Sequence, residues 1–392
     1  MPPTAELTAS IADQARRSGR LGIDTEFMGE GRYRSLLCLI QVSVQDSGDP
    51  QAPARVEVLD PITRDFDPGP LAQVLADPSI EIVMHAARQD VALLRREWQT
   101  EITSLFDTQV AAGFAGMRAQ LGYDALLHEL VGVRLHKSAS FTRWDQRPLS
   151  AEQVDYARGD VLHIIEAAIE LQSRLASTGR LEWAREECRA LEQVSDERDL
   201  QVVFGRLPRV ASLSPEQRAV AYALVDWRER TARAEDRPVQ QVLQDAGLVE
   251  IAKRRPADAE RLRQMRGLHE GTIRRRGRAI IEAVERGLSS PPIAVDGERP
   301  PQGHPGDAAV IVVAEALVRA RAAEAELAYE LLAARADLQR IITAVRQGAP
   351  EPDVRTLQGW RRELVGAELL ELLAGRRALR INDRLELAVD DI

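Results

Sequence analysis

Hydrophobic residues form short runs in the first part of the chain and recur at helical spacing in the rest. Runs rich in valine, isoleucine and leucine, bounded by Gly, Pro or Asp, occupy 21–27, 36–44, 56–60 and 80–85. Such runs are typical of strands, and the short connections between the first three predict antiparallel neighbours. A helical stretch at 70–76 separates the third run from the fourth. The pattern therefore predicts a mixed sheet covered by helices, an α/β fold.

Beyond residue 150 the apolar positions keep a helical period. The positions from Val154 to Leu171 fit one long amphipathic helix, with Ser150 as its N-cap and Gln153 completing a capping box. A second helical series starts near Leu207, where Ser214 and Pro215 predict a helix start, and ends near residue 287. After it, a stretch rich in proline and glycine predicts a linker, and the remaining residues are again helical.

Composition and charge narrow the class of protein. The chain has 392 residues, of which 44% are hydrophobic, and only two cysteines, which excludes a disulfide framework or a cysteine-based zinc site. The N-terminal stretch lacks an apolar signal region, so we expect a cytoplasmic protein without a membrane span. The net charge is −9, yet residues 201–290 hold 18 Lys and Arg against 12 Asp and Glu. The middle of the chain is therefore locally basic, as a polyanion-binding region would be.

Acidic side chains stand at positions where they can converge. Asp24 and Glu26 are two apart in a predicted strand, so both project from the same face of the sheet. Asp160 follows Tyr156 by four residues on a predicted helix, which places both on one helical face. Asp90 begins another helix, where the helix dipole favours an acidic residue. Taken singly, each could be a solvated surface charge.

Their joint arrangement resembles the DEDD exonuclease superfamily, specifically its tyrosine branch, and most closely the ribonuclease D family. The residues that carry this resemblance are five motifs in the order found in that family: DTEFMGEGRYRSLLCLIQ at 24–41, HAARQD at 85–90, FDTQVAA at 106–112, LHKSASFTRWDQRPLS at 135–150 and YARGDVLHII at 156–165. Residues 215–256 resemble an HRDC domain, a helical nucleic-acid-binding module, and the last segment is similar to a second, more divergent HRDC-like domain.

The resemblance implies a domain organisation. We expect an exonuclease domain of the RNase H-like fold at 1–200, an HRDC domain at 207–288, the linker at 289–307 and a second all-α HRDC-like domain at 308–392. The fold expected is thus an α/β exonuclease domain, with a mixed sheet covered by helices, followed by two all-α domains.

The resemblance also implies a catalytic site. Asp24, Glu26, Asp90 and Asp160 would bind two divalent ions, and all-oxygen ligands suit Mg²⁺ or Mn²⁺. Two such ions can stabilise the attacking and leaving oxygens of a phosphoryl transfer. Tyr156 has an ordinary pKa of about 10, which makes it a poor base at neutral pH. We therefore expect Tyr156 to orient the attacking water rather than deprotonate it.

Residues around the site are candidates for substrate binding. These candidates are cations and aromatic or apolar groups close to the motifs: Phe27, Met28, Lys137, Arg143, Trp144 and Arg147. Each has an alternative structural role, in the core for the apolar groups and in a solvated loop for the cations. The family pattern after the first motif commonly has an Arg, then Thr-Tyr and Pro, where this chain has Gly29, Arg32 followed by Tyr33, and Ser35.

Five further residues are interpreted as structural. His85 should anchor a strand end, Asp107 should cap a helix, and Gln41 should be a buried amide near the first motif. Trp227 and Trp360 are expected in the cores of the helical regions. The arginines and lysine at 253–255 and 274–278 are candidates for RNA phosphates, although such runs are more often solvated helix faces.

The function implied is a metal-dependent 3′-to-5′ exoribonuclease that releases nucleoside 5′-monophosphates. Its partners would be RNAs with a free 3′ end, such as tRNA precursors and small RNAs, and we expect a monomer. Two alternatives stay open, a 3′-to-5′ DNA exonuclease of the same fold and a catalytically silent RNA-binding scaffold. The complete set of acidic residues argues against the scaffold.

Overall fold

The structure, a computed structural model, describes residues 4–45, 54–135, 143–265, 268–294 and 304–392. The chain divides into two compact units, each built from stretches that are separated in sequence. The first unit comprises Met1–Glu26, Cys38–Ser195 and Pro301–Ile392, and the second comprises Phe27–Leu37 and Asp196–Pro300.

A five-stranded mixed sheet organises the exonuclease-like region, in the order β3-β2-β1-β4-β5. Its strands are β1 (Arg20–Met28), β2 (Leu36–Val44), β3 (Arg55–Leu59), β4 (Glu81–Met84) and β5 (Leu105–Asp107). β2 pairs with β3 antiparallel, whereas β1 with β4 and β4 with β5 are parallel. The predicted mixed sheet is confirmed. The sequence pattern missed β5 because three residues are too few to show a strand period.

Eight helices accompany this sheet in the described residues: α1 (Thr4–Ser18), α2 (Gly69–Ala76), α3 (Arg88–Trp98), α4 (Thr108–Phe114), α5 (Tyr123–Val131), α6 (Ala151–Leu162), α7 (Ile164–Ser177) and α8 (Leu181–Glu192). α7 packs closely on the sheet at Gly22, where an added Cβ would lie 2.5 Å from Ile164 Cγ2. Only a glycine permits this separation.

The single long helix expected from Ser150 to Leu171 is wrong, because His163 interrupts it. His163 has φ −113° and ψ 9°, outside the helical range, and separates α6 from α7. α6 then contacts β3, and α7 contacts β4. The capping box of Ser150 and Gln153 that begins α6 is confirmed. An amphipathic period alone does not reveal a break of one residue, since both helices bury apolar positions in the same frame.

The second unit is helical. Its helices are α9 (Leu200–Gly205), α10 (Pro215–Glu235), α11 (Val239–Val242), α12 (Asp245–Arg254), α13 (Ala259–Arg263) and α14 (Glu270–Leu288), with a 3₁₀ turn at Val210–Ser212. Ser214 caps α10 with Pro215 at its first position, as predicted. α10 packs against α14 and α12, and Trp227 is buried in the core between these helices, as expected.

The C-terminal region belongs to the first unit. Its helices are α15 (Asp307–Glu324), α16 (Tyr329–Leu332), α17 (Arg335–Gln347), α18 (Gly359–Arg361) and α19 (Ala367–Leu373), with a 3₁₀ turn at Arg355–Leu357 and a π-helical turn at Arg362–Gly366. The all-helical expectation fails at the end, where β6 (Arg377–Ile381) and β7 (Leu387–Asp391) form an antiparallel hairpin. No residue of either strand is fully buried, so the strands lack the alternation of buried and exposed positions by which strands are recognised.

One hydrophobic core joins this region to the exonuclease-like part. Trp360 contacts Phe114 edge-to-face and stacks on Trp183, with ring centroids 5.1 Å apart in both pairs. Next to it, Arg361 is only 4% exposed and its guanidinium lies 2.6 Å from the carboxylate of Glu187. The C-terminal helices and the helices around the sheet therefore form a continuous packed unit.

Candidate active site

The central strand carries the first two acidic residues. β1 lies between β2 and β4, with Leu21 and Ile23 fully buried. Asp24 and Glu26 project from the opposite face to Ile23 because side chains alternate along a strand. Both are partly exposed, so they line an opening rather than the core. The sequence prediction of a shared face is therefore consistent with the strand that forms.

α6 brings two further groups to this face. Tyr156 and Asp160 lie one helical turn apart and are each half-buried. The ring of Tyr156 contacts that of Trp144, with centroids 6.1 Å apart. Trp144 is only 5% exposed, so it supports the tyrosine from within the protein.

Three carboxylates converge. One oxygen from each of Asp24, Glu26 and Asp160 lies within 4.8 Å of the other two, the spacing of ligands around one cation. The fourth predicted acid, Asp90, stands in the first turn of α3 and is 8% exposed. Its carboxylate accepts a hydrogen bond from Thr25 Oγ1, on the neighbouring position of β1. The structure thus brings three of the four acids together and places the fourth beside them.

The electrostatics of the cluster oppose ionisation. Burial, followed by the charges of Asp90, Asp160 and Glu26, raises the pKa of Asp24 well above its ordinary value. Burial and the same neighbouring acids raise the pKa of Glu26 to about 8. Burial raises the pKa of Asp160 to about 7, against the effect of the nearby Tyr156 hydroxyl.

Asp90 is perturbed less strongly. Burial raises its pKa to about 6, and the hydrogen bond from Thr25 opposes this rise. Four acids that repel one another in a partly dehydrated site are costly unless a cation neutralises them. The donors are all hard carboxylate oxygens, the set that Mg²⁺ and Mn²⁺ prefer. The residues present therefore fit a divalent metal site.

Tyr156 is held in its neutral form. Burial and the charges of Asp160, Glu26 and Asp24 raise its pKa above the ordinary value of 10.0. A phenol with a raised pKa keeps its proton at neutral pH, so it can donate a hydrogen bond but cannot act as a base. This agrees with an orienting role.

A row of polar residues crosses the sheet at the level of Asp24. Gly22 pairs with Val83 of β4, and Val83 pairs with Phe106 of β5. Two residues further along, this register places Asp24 of β1 level with His85 and Thr108, which directly follow the last residues of β4 and β5. A hydrogen bond of 2.9 Å between His85 Nδ1 and Thr108 Oγ1 agrees with this register.

Gln41 extends the row on the other side of Asp24. β1 and β2 are joined by a short loop, so they run antiparallel. An added Cβ at Gly22 would lie 3.2 Å from Ser43 Cβ. Two residues along from this pair, Asp24 therefore faces Gln41. Gln41 is fully buried, as predicted, and neither atom of its amide has a hydrogen-bond partner among the described residues.

Sequence reasoning missed Tyr123, at the start of α5. Its ring contacts that of His85, with centroids 5.3 Å apart, and its buried hydroxyl has no hydrogen-bond partner in the described part of the chain. Burial and the charges of Asp160 and Asp24 raise the pKa of the Tyr123 hydroxyl above the ordinary value for tyrosine. The only signal in the sequence is a tyrosine directly after Gly122, which is too common to indicate a site.

Asp107 has the structural role expected of it. Its side chain caps α4 by accepting hydrogen bonds from the backbone N–H groups of Gln109 and Val110, at 2.8 and 3.2 Å. It also accepts from the backbone N–H groups of Ala86 and Ala87, at 3.1 and 2.8 Å. Asp107 therefore fixes the turn that leads into α3, and with it the position of Asp90.

The predicted substrate contacts are in varied surroundings. Lys137 lies outside the described residues. Arg143 is well exposed and pairs with Asp145 at 2.8 Å. Arg147 instead donates to Asp60 Oδ1 at 2.7 Å and to the backbone carbonyl of Cys38 at 2.8 Å. Its hydrogen-bonding capacity is thus used within the protein.

Phe27 and Met28 end β1 and belong to the second unit, where both are half-buried. Most of the basic residues predicted to bind phosphates are exposed: Arg254, Arg255, Arg274, Arg275 and Arg278, while Lys253 is half-buried. Arg276 is not available to a phosphate, because it is buried against Glu235 and donates to the backbone carbonyls of α11. The sequence could not separate these arginines, since only the helical frame decides which one points inwards.

Family comparisons identify two regions. Residues 1–176 match a 3′-5′ exonuclease family, and residues 217–284 match the HRDC domain family. The chain is 34% identical over 384 residues to ribonuclease D of Granulibacter bethesdensis, covering 97% of this chain and 94% of the relative. It is 35% identical over 385 residues to ribonuclease D of Gluconacetobacter diazotrophicus, with the same two coverages.

Among solved structures, the chain is similar to Escherichia coli RNase D, described as an exoribonuclease involved in structured RNA processing. The TM-score is 0.78 at 27% sequence identity, and the match covers 95% of this chain and 98% of the other. Among the described residues, no helix is both long and apolar enough to cross a membrane.

Proposed function

Because the chain belongs to the ribonuclease D family and is a metal-dependent 3′-5′ exoribonuclease, we propose which of its residues perform the reaction. Asp24, Glu26 and Asp160 bind divalent metal directly, and Asp90 completes the acidic site from α3. The observation that supports this assignment is the convergence of three carboxylate oxygens within 4.8 Å. The raised pKa values of Glu26 and Asp160 add to it: burial is the main cause of both, and repulsion by Asp160 and Asp90 adds to the rise at Glu26. A bound cation would offset this cost of holding the carboxylates ionised.

The metal would be two Mg²⁺ or Mn²⁺ ions. Bound there, such ions supply Lewis-acid stabilisation of the negative charge that develops on phosphate oxygens. The protein's own contribution is to hold four carboxylates on β1, α3 and α6, whose positions are fixed before substrate arrives. Asp107 and Thr25 support this arrangement by fixing the turn before α3 and the carboxylate of Asp90.

Tyr156 orients the attacking water. Its neutral phenol donates a hydrogen bond and leaves the water oxygen free to attack the last phosphorus of the RNA. A bond forms between the water oxygen and that phosphorus, and a proton of the water passes to solvent. The bond between the phosphorus and the 3′ oxygen of the preceding nucleotide breaks, and the 3′ oxygen takes up a proton from solvent. The products are a nucleoside 5′-monophosphate and an RNA shortened by one nucleotide with a new 3′ hydroxyl.

The substrate contacts that we propose are Phe27, Met28, Lys137, Arg143, Trp144 and Arg147. Phe27 and Met28 follow the metal ligands on β1 and would contact the terminal base or sugar. Arg143, which is exposed, would reach a phosphate as Lys137 would. Trp144 and Arg147 would act by shaping the wall of the site, since one is buried under Tyr156 and the other is bound to Asp60.

The wider assignment is also a proposal. RNA is the substrate class, and we propose the 3′ ends of structured RNAs, such as tRNA precursors and small RNAs, in keeping with the description of the Escherichia coli relative. We propose a monomer with an exonuclease domain at 1–200, an HRDC domain at 207–288, a linker at 289–307 and a second HRDC-like domain at 308–392. A cytoplasmic location stays a prediction from the cysteine content.

The decisive experiment compares two substitutions on α6. Asp160→Asn removes a proposed ligand, whereas Asp155→Asn makes the same chemical change at an exposed position five residues earlier. A 5′-labelled RNA with an unpaired 3′ end and a matched DNA are followed with Mg²⁺, Mn²⁺ or EDTA. We expect a metal-dependent ladder that shortens RNA from its 3′ end with wild type and Asp155→Asn, and no ladder with Asp160→Asn.

Each other outcome has a definite meaning. Full activity of Asp160→Asn would refute the site assignment. Equal shortening of DNA would favour the DNA exonuclease of the same fold. RNA binding by the wild type without any ladder in either metal would favour the RNA-binding scaffold.

A further inference from the structure

The loop that follows the metal ligands on β1 is bound to the helical unit. This β1–β2 loop, residues 29–35, is grouped with α10 and the other helices of the second unit. Tyr33 Oη donates a hydrogen bond of 2.9 Å to Glu229 Oε2 on α10. The backbone N–H of Tyr33 donates to Asp236 Oδ1 at 3.2 Å, and Arg32 lies 2.6 Å from Asp236 Oδ2.

The acceptor of the tyrosine is a buried carboxylate. Glu229 is only 4% exposed, and its second partner, the guanidinium of Arg198, lies 3.0 Å from Oε2. Both contacts are made to Oε2, and the other oxygen, Oε1, has no hydrogen-bond partner among the described residues. A buried carboxylate is costly unless it is partnered, so the contacts from Tyr33 and Arg198 offset part of the cost of burying Glu229. The Tyr33 ring packs against the core of the second unit and lies between the guanidinium groups of Arg34 and Arg233, at 5.9 and 5.8 Å.

The second anchor ends α10. Asp236 is the C-cap residue, with a left-handed backbone at φ 46°, and it binds the loop through both of its carboxylate oxygens. The loop is therefore fixed at two points, one buried and one at the surface.

The loop controls the end of β1. The strand passes from the first unit into the second between Glu26 and Phe27, and Met28 is followed at once by the loop. Whatever fixes Tyr33 thus restricts the conformations open to Phe27 and Met28. Without these anchors, Phe27 and Met28 would have to be ordered when RNA binds. The loss of conformational entropy would then lower the affinity for RNA.

We propose that Tyr33, Glu229 and Asp236 are positioning residues of the exonuclease: by anchoring the β1–β2 loop on α10, they hold Phe27 and Met28 ready for the 3′-terminal nucleotide. The inference rests on the proposed role of Phe27 and Met28. It gives the helical unit a task in the exonuclease reaction, that of preorganising the substrate end of β1. Loss of the anchors raises the KM for RNA and leaves kcat nearly unchanged, because the metal ligands precede the anchored segment.

Two conservative substitutions test the anchors. Tyr33→Phe removes one hydroxyl and leaves the ring and the Glu229–Arg198 pair in place. Asp236→Asn removes the charge that binds Arg32, and asparagine tolerates the left-handed conformation of the C-cap. The matched control is Asp226→Asn, on the same helix, whose carboxylate pairs with Arg230 at 2.6 Å and not with the loop.

The control also separates positioning from electrostatics. Asp236→Asn and Asp226→Asn remove the same negative charge, which on general grounds strengthens attraction of RNA. A weaker affinity in Asp236→Asn alone therefore cannot arise from the change in charge.

The measurements are KM and kcat for a single-stranded RNA with Mg²⁺, together with the Kd of the same RNA in EDTA by fluorescence anisotropy. We expect Tyr33→Phe and Asp236→Asn each to raise KM and Kd by about three- to tenfold, the range of one lost hydrogen bond, with kcat within about twofold of wild type. Asp226→Asn should match wild type in all three.

Unchanged KM and Kd in both anchor variants would overturn the proposal, even if both unfold more easily. A fall in kcat with KM unchanged would also overturn it, since the loop would then act in the chemical step. Failure of the wild type to shorten RNA would instead refute the proposed function, while the Kd in EDTA still reports on the anchors.

Discussion

The indole rings of Trp183 and Trp360 stack with an interplanar angle of 13° and centroids 5.1 Å apart. Trp183 belongs to α8, beside the sheet, and Trp360 belongs to the C-terminal helices. The buried guanidinium of Arg361 and the carboxylate of Glu187 form an ion pair next to this stack. The C-terminal region is therefore an integral part of the first unit.

We predict that Trp360→Ala lowers the free energy of unfolding of the first unit by about 3–5 kcal/mol, the usual result of deleting a buried aromatic side chain. Urea denaturation followed by circular dichroism measures the change. Val313→Ala, at an exposed position of α15, is the control and should lie within about 0.5 kcal/mol of wild type. A Trp360→Ala protein as stable as that control would contradict the shared core.

The acidic cluster predicts a pH dependence of stability without metal. In the folded protein the pKa values of Glu26 and Asp160 are raised to about 8 and about 7, above those of an unfolded chain. The folded state therefore binds more protons, and in EDTA its stability should fall as pH rises from about 5 to about 8. Denaturation midpoints at successive pH values measure this slope.

The same experiment contains its control. Asp160→Asn should show a shallower slope than wild type, whereas Asp155→Asn should keep the slope of wild type. An unchanged slope in Asp160→Asn would show that the pKa of Asp160 is not raised in the folded protein.

Thr25 should affect both stability and activity through its hydrogen bond to the Asp90 carboxylate. Thr25→Val keeps the shape of the side chain but removes the hydroxyl that donates to the buried carboxylate, so we expect a loss of about 1–3 kcal/mol of stability. The pKa of Asp90, now about 6, should rise further, because that hydrogen bond opposes the rise. The pH of half-maximal activity would then move upwards, and Thr25→Ser should restore it.

We predict that replacing Gln41 raises stability but lowers activity. Its amide is fully buried without a hydrogen-bond partner among the described residues, so Gln41→Met should raise the free energy of unfolding by about 1 kcal/mol. Since Gln41 faces Asp24, we expect the same variant to need more Mg²⁺ for half-maximal activity. A less stable Gln41→Met would indicate that the amide does have a partner.

The arginines of α14 should differ in effect. Arg274→Ala and Arg275→Ala remove exposed cations, and each should lower the slope of log K for RNA against log salt by about one if it contacts a phosphate. Arg276→Ala should instead destabilise the second unit, because it leaves Glu235 and two backbone carbonyls without their donor. Filter binding at several salt concentrations and urea denaturation distinguish the two results.

The sequence predicted the parts of the site that depend on local periodicity. Asp24 and Glu26 share a face because a strand alternates, and Tyr156 and Asp160 share one because four residues make about one helical turn. The helix caps at Ser150, Asp107 and Ser214 could be predicted for the same reason. Each cap side chain accepts a hydrogen bond from a backbone N–H group two or three residues further along the chain.

What the sequence could not predict depends on contacts between distant segments. Three features follow from packing, which no local pattern encodes. They are the contact between the rings of Tyr123 and His85, the burial of Arg276, and the ion pair between Arg147 and Asp60. The break at His163 and the C-terminal hairpin were missed because the apolar period continues through the first and is nearly absent from the second.

The shared core also sets an order of assembly. Chains leave the ribosome from the N-terminus, so the sheet and its acidic residues emerge well before Trp360, which completes their hydrophobic core. The helices of the second unit, encoded in between, are all available earlier and can pack first. Contacts between segments so far apart in sequence also form slowly. A nascent chain that has not reached Trp360 therefore carries the proposed catalytic residues on an incomplete hydrophobic core, and we expect the nuclease to complete its folding last.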